Sequence, residues 1–182
     1  MEAVILDLRP YEEFPVEVTL TAEAGHIEPL RDDVRSVGAA TVELTIQKSG
    51  DEYFCQGTVQ APIELECARC LVPYTCGLEG STNFIVTTRE VREQQADEAV
   101  DEEEYVLVDG NELRADLTEI VRETLILELP MKPICREECR GLCSQCGANL
   151  NEEECDCDAE KIDPRWEGLK ALLDRGSEKG NE

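Results

Sequence analysis

Cysteine is the residue type through which this chain can do chemistry, and its spacing narrows which chemistry that is. Six of the ten cysteines fall between Cys135 and Cys157, in the run C-R-E-E-C-R-G-L-C-S-Q-C-G-A-N-L-N-E-E-E-C-D-C. Its centre, Cys143-Ser144-Gln145-Cys146-Gly147, is a C-x-x-C-G turn. Two thiolates on one tight bend can approach a metal from the same side, with Zn–S bonds of about 2.3 Å. Gly147 lets the backbone take a positive φ and turn its N–H groups towards the sulfurs, which supports the thiolates. A second pair must complete the tetrahedron, and Cys155-x-Cys157 and Cys135-x-x-x-Cys139 are both within reach. The spacing therefore predicts one structural four-cysteine zinc module drawn from these six residues. Cys143 and Cys146 are two of its ligands, and the partner pair is left open.

A second C-x-x-C, Cys67-Ala68-Arg69-Cys70, follows an alternating segment in which Cys67 shares the inward parity of Ile63 and Leu65. Three readings stand: a buried cysteine beside a turn cysteine, a metal role with Cys55 and Cys76, or a redox pair. Redox C-x-x-C motifs generally open a helix, whose N-terminus lowers the thiol pKa; this one follows a strand and runs into Pro73. Arg69, Lys132, Arg136 and Arg140 are the best candidates for a basic surface, diluted by Glu137 and Glu138. His26, the single histidine, sits after Gly25 in an expected loop and is read as inert.

The elements that must position these residues read as α+β. The expected order is an antiparallel β-rich domain over residues 1–88, as a twisted sheet or partial barrel, then an acidic loop or linker at 89–104. A strand and a helix packed on the β domain follow at 105–133, then the zinc module at 134–160 and a short helix with a frayed tail at 161–182. Phe14 to Leu20, Val42 to Ile46 and Ile63 to Cys67 alternate with period two, as half-buried strands do. Lys48-Ser49-Gly50-Asp51 is a turn between strands. Asp116 and Glu119 form a box-like cap for a helix whose apolar face is Leu117, Ile120, Val121 and Leu125, ended by Pro130 and Pro133. Asp163-Pro164 opens the last helix, with Trp166, Leu169, Leu172 and Leu173 on one face.

Charge bounds the partners. With 17 basic against 42 acidic residues the net charge is −25, so the body repels phosphate backbones and RNA contact needs a local basic patch. A basic protein partner is easier to explain. No run of about 18 apolar residues supports a membrane span, and Met1-Glu2-Ala3-Val4 lacks the start of a signal peptide. Reduced thiols and a cytoplasmic setting are expected.

The chain resembles the YceD family, the large ribosomal RNA subunit accumulation proteins. The resemblance rests on Leu65 to Leu71 (LECARCL), Leu127 to Pro133 (LELPMKP) and Cys135 through Cys157, with Gly141-Leu142-Cys143, Asn149-Leu150-Asn151 and Asp163-Pro164-Arg165. It implies a role in accumulation of 23S rRNA and hence of the large subunit. Some branches of the family lack the distal cysteines, which implies that the metal supports structure and that the shared feature is the Cys67–Cys70 turn with Arg69. Cys55 and Cys76 are outside the family pattern and receive no role. The function expected is a non-enzymatic assembly factor without a small-molecule substrate, contacting large-subunit rRNA precursor or a basic ribosomal protein. Cys67, Arg69, Cys70, Lys132, Arg136 and Arg140 would form its interaction surface. The alternatives are a thiol-redox protein and a zinc-dependent, redox-sensitive chaperone or adaptor.

Overall fold

The computed structural model describes residues 3–25, 27, 30–88, 105–110 and 112–157. The acidic segment 89–104, His26 and the expected helix around Trp166 lie outside the described residues.

Alternation of apolar and polar residues builds the main sheet. β2 (Val16–Ala22), β4 (Ala40–Ser49), β5 (Glu52–Glu66), β6 (Pro73–Thr88) and β7 (Tyr105–Val108) lie side by side in that order, and β3 (Val34–Val37) pairs with the far end of β5. Because β2 and β7 end the order without meeting, the sheet is open among the described residues and not a closed barrel. Val42, Leu44 and Ile46 on β4, with Val59, Ile63 and Leu65 on β5, turn one face into a dry core, each 2% exposed or less. The β4–β5 hairpin closes at Gly50-Asp51, within the expected turn.

The β5–β6 hairpin is the longest feature. Its register runs unbroken from Tyr53↔Val86 to Glu66↔Pro73, a ribbon roughly 40 Å long at the usual rise per strand residue. Cys67 and Cys70 sit on the loop at its tip. At the other end β6 continues into a parallel pairing with β7.

Two short strands escape the sequence pattern. β1 (Ile5–Asp7) pairs antiparallel with β8 (Arg114–Asp116), bringing the fully buried Leu6 and Ala115 opposite each other. Three residues give too little periodicity to announce a strand, and only the long-range pairing defines these two. Helix α1 (Thr118–Glu128) follows at once. Leu117 occupies the cap position with no side-chain cap bond, one residue later than expected, yet Asp116 Oδ1 still accepts the Thr118 N–H at 2.9 Å. Leu117, Val121 and Leu125 are fully buried and Ile120 is half-buried, so the expected face is the packed one. The helix stops at Leu129, extended at ψ 128°, because a residue before proline is pushed out of the helical region.

The helix lies close to β6 because Gly80 has no side chain. A Cβ there would fall 2.7 Å from Thr124 Cγ2 and 2.9 Å from Glu128 Cγ. Gly80→Val should lower stability by about 1–3 kcal/mol, the usual cost of overpacking. The check is a urea midpoint that falls with its slope unchanged; an unchanged midpoint would show that the helix does not rest on this contact.

Candidate metal centres

The two C-x-x-C segments fold into the same local shape. In the first, the Cys67 N–H donates to Val72 O at 3.1 Å and the Leu71 N–H donates back to Cys67 O at 2.9 Å. In the second, the Cys143 N–H donates to Ala148 O at 2.8 Å and the Gly147 N–H to Cys143 O at 2.9 Å. Each turn also aims its third N–H at its first sulfur: Arg69 at Cys67 Sγ, 3.5 Å, and Gln145 at Cys143 Sγ, 3.4 Å. The residue after each second cysteine has a positive φ, 58° at Leu71 and 78° at Gly147. These are two copies of one knuckle turn, the first obscured in sequence because leucine stands where glycine is easiest.

The sequence predicts one four-ligand site among six cysteines; the structure assembles two, from eight. Cys67, Cys70, Cys135 and Cys139 form a proximal cluster, and Cys143, Cys146, Cys155 and Cys157 a distal one. Within each, every sulfur lies within 4.8 Å of the others. Cys143 and Cys146 are therefore joined by Cys155 and Cys157, whereas Cys135 and Cys139 reach back to the hairpin tip. Cys55 and Cys76 join neither cluster. Cys55 is 2% exposed in the apolar core, where burial pushes its thiol up to about 12, and Cys76 packs against the same core.

The proximal cluster is held by the C-terminal segment wrapping the first knuckle. The Ala68 N–H donates to Pro133 O at 2.8 Å, the Leu142 N–H to Arg69 O at 3.1 Å and the Cys135 N–H to Cys67 Sγ at 3.4 Å. Arg69 acts as a pin: its Nη1 donates to both Glu137 O and Cys139 O, each at 3.0 Å. Expected in the interaction surface, Arg69 remains exposed while its side chain spans the two segments. Asn151, which sequence reasoning missed, ties the loop between Cys146 and Cys155 to the proximal cluster. Its amide donates to Cys139 Sγ at 3.5 Å while its Oδ1 accepts the Arg140 N–H at 2.8 Å. The Asn149-Leu150-Asn151 match to the family was its only signal.

The electrostatics of the thiols repeat in both clusters. Burial opposes ionisation of Cys67, but N–H groups of Cys70, Cys135 and Arg69 outweigh it and hold the thiol at about 6. The N–H groups of Cys146 and Gln145 hold Cys143 at about 6 likewise. Burial and neighbouring thiols push Cys135 up to about 12. Cys155 also rises to about 12: the Cys157 N–H favours its thiolate, yet the surrounding thiols prevail. Four thiolates this close cannot all ionise unaided, because like charges disfavour one another; a cation at the centre removes the conflict.

The geometry fits such a cation. A tetrahedron with Zn–S bonds of about 2.3 Å has sulfur–sulfur edges of roughly 3.8 Å. The proximal edges Cys70–Cys135 and Cys67–Cys139 are 3.8 and 3.9 Å. The distal edges Cys146–Cys155 and Cys143–Cys155 are tighter, both 3.4 Å. Both clusters could hold a metal ion, and an all-thiolate donor set suits zinc or iron. The proximal sulfurs are shielded by Tyr74, Ile134 and Leu142, whereas Cys146 and Cys157 are exposed.

Comparison with known proteins places the chain in a family. The family described as large ribosomal RNA subunit accumulation protein YceD matches residues 55–173, a stretch that includes all eight clustered cysteines. The chain belongs to the YceD family. An uncharacterised protein of Mycobacterium tuberculosis is 35% identical over 133 residues, covering 72% of this chain and 61% of that protein. A chloroplastic protein of Arabidopsis thaliana, named large ribosomal RNA subunit accumulation protein YCED homolog 1, is 36% identical over 64 residues, 35% of this chain and 20% of its own length. The uncharacterised protein YlbN of Bacillus subtilis is 25% identical over 184 residues, 98% of this chain and 99% of that one. The chain thus spans under two thirds of the length of the mycobacterial relatives it matches. No solved structure gives a significant match.

The two knuckles differ in strain, and substitution should reveal it. A left-handed conformation costs a non-glycine residue about 1–2 kcal/mol. Gly147→Ala, whose Cβ would meet nothing within 4 Å, should lose about 1 kcal/mol, whereas Leu71→Gly should lose nothing, since the relieved strain offsets the added chain entropy. Urea unfolding of the metal-loaded protein checks both; equal losses would mean that the knuckles are not equivalent.

Proposed function

We propose that this protein is a non-enzymatic cytoplasmic factor for the accumulation of large-subunit ribosomal RNA, with structural zinc in both cysteine clusters. The family description and the name of the plant relative support the RNA role. The observation that carries the reading is the filling of each cluster by four protein sulfurs. A site with four protein ligands leaves no position for water or substrate, the mark of structural rather than catalytic zinc. Cys67, Cys70, Cys135 and Cys139 would hold one ion and Cys143, Cys146, Cys155 and Cys157 the other, locking the C-terminal segment onto the hairpin tip.

That lock would present the chain's concentrated cations. Arg69, Lys132, Arg136 and Arg140 are all exposed around the proximal cluster, and Leu71 and Val72 project beside them at 54% and 40% exposure. On a body of net charge −25, this is where a phosphate backbone of the large-subunit precursor could approach, through Lys and Arg replacing its counterions. The redox alternative loses support from Cys67, which is fully buried where a reactive cysteine is partly exposed.

Sedimentation of lysate through a sucrose gradient tests the reading. The protein should co-migrate with large-subunit precursor particles at low salt and leave them at high salt. Arg136→Glu combined with Arg140→Glu should lower that association several-fold with zinc content unchanged. Arg69→Ala should lower both, because Arg69 pins the metal-binding segment. Full association of the double variant would remove these residues from the contact surface.

A further inference from the structure

We propose that the outer face of the six-stranded sheet is a docking trough for an extended, cationic polypeptide segment of a partner protein. This surface lies on the strands themselves, away from the cysteine tip, and goes beyond the RNA role proposed above.

The face is unusual in what it lacks. Its register aligns Glu17, Thr45, Gln56 and Asn83 in one cross-strand row and sets Glu43 in the next. All but the carboxylates are neutral hydrogen-bonding groups. Among the described residues, no cation projects from it. Lys48 has the parity of the core-facing Ile46 and lies over the Tyr53 ring at 5.2 Å, and Arg35 is tied to Glu66. At one end Phe54, 41% exposed, stands opposite Ile85.

The face is also shaped to receive a chain. A concavity of about 790 Å³ runs from Phe54 and Gln47 past Gln56 and Asn83, and a second of about 370 Å³ continues it along Glu17 and Glu43. A third, of about 430 Å³, extends it past Thr41 and Glu79. From Gln47 to Thr41 the trough spans roughly 20 Å, the length of about six extended residues. Glu17, Glu43 and Glu79 supply complementary charge for lysine or arginine, the amides and hydroxyls satisfy the backbone, and the Phe54–Ile85 end takes an apolar side chain. A nucleic acid is repelled from such a face by the carboxylates, so charge complementarity selects a basic protein segment.

The test uses a synthetic peptide of alternating lysine and valine, about twelve residues long, added to the full-length metal-loaded chain at physiological salt. Amide shifts in NMR spectra should cluster on β4, β5 and β6 around Thr45, Gln56 and Asn83. Phe54→Ser, which changes no charge, should weaken binding about tenfold, and Glu17→Lys with Glu43→Lys should weaken it further. Glu152→Lys with Glu153→Lys, an equal charge change on the distal module, should leave it within about twofold. If Phe54→Ser fails to fold, Gln56→Lys at an exposed mid-trough position replaces it, with the same loss expected. Shifts scattered over the acidic surface, equal weakening by the two charge-reversal pairs, or occupancy of the same face by polyuridylate RNA would each overturn the proposal. None of these outcomes depends on ribosome sedimentation, so the two proposals fail separately.

Discussion

Four thiols drawn from two distant parts of the chain meet within 4.8 Å at the proximal cluster, and the described segment from Pro130 to Cys157 depends on that meeting. Beyond Leu129 the described chain has no helix and no strand longer than the single bridge Leu142–Asn149. Its order comes from knuckle turns, from a few hydrogen bonds to Ala68 and Arg69, and from sulfur. Such a segment cannot bury enough apolar surface to order itself, and in small thiolate domains metal binding supplies the missing folding free energy. The hairpin tip is the complementary half: the register that carries β5 and β6 out to Glu66 and Pro73 delivers Cys67 and Cys70 to the place where Cys135 and Cys139 arrive.

The two clusters share a knuckle but not an environment. Around the proximal one stand Arg69, Lys132, Arg136 and Arg140; from Gly141 to Cys157 the sequence holds four acids and no cation. A metal tetrathiolate would carry net negative charge, which the cations around the proximal cluster would offset despite Glu137 and Glu138, and which no cation of the distal segment would. Burial follows the same division, with Cys67, Cys70 and Cys139 inside and Cys146 and Cys157 open to water.

Elements with a local signature were legible in the sequence. The alternation of Val42, Leu44 and Ile46, the hairpin turn at Gly50, the helix face of Leu117, Val121 and Leu125 and the inward parity of Cys67 all reappear in the fold. What stayed hidden is defined by long-range pairing. Ile5–Asp7 and Arg114–Asp116 become strands only by finding each other across more than a hundred residues. The choice of Cys135 and Cys139 as partners of Cys67 and Cys70 is of the same kind: cysteine spacing announces a turn, whereas tertiary approach decides which turns share an ion. Leu71 hid the first knuckle further, by placing a bulky residue where the backbone takes a positive φ.

Cadmium–proton correlation NMR on the cadmium-loaded chain tests the pairing of the cysteines most directly, because it couples each ion to the β-protons of its own ligands. The fold predicts one cadmium coupled to Cys67, Cys70, Cys135 and Cys139 and a second coupled to Cys143, Cys146, Cys155 and Cys157. A single cadmium, or one that couples Cys135 and Cys139 to Cys143 and Cys146 with Cys67 and Cys70 silent, would contradict it.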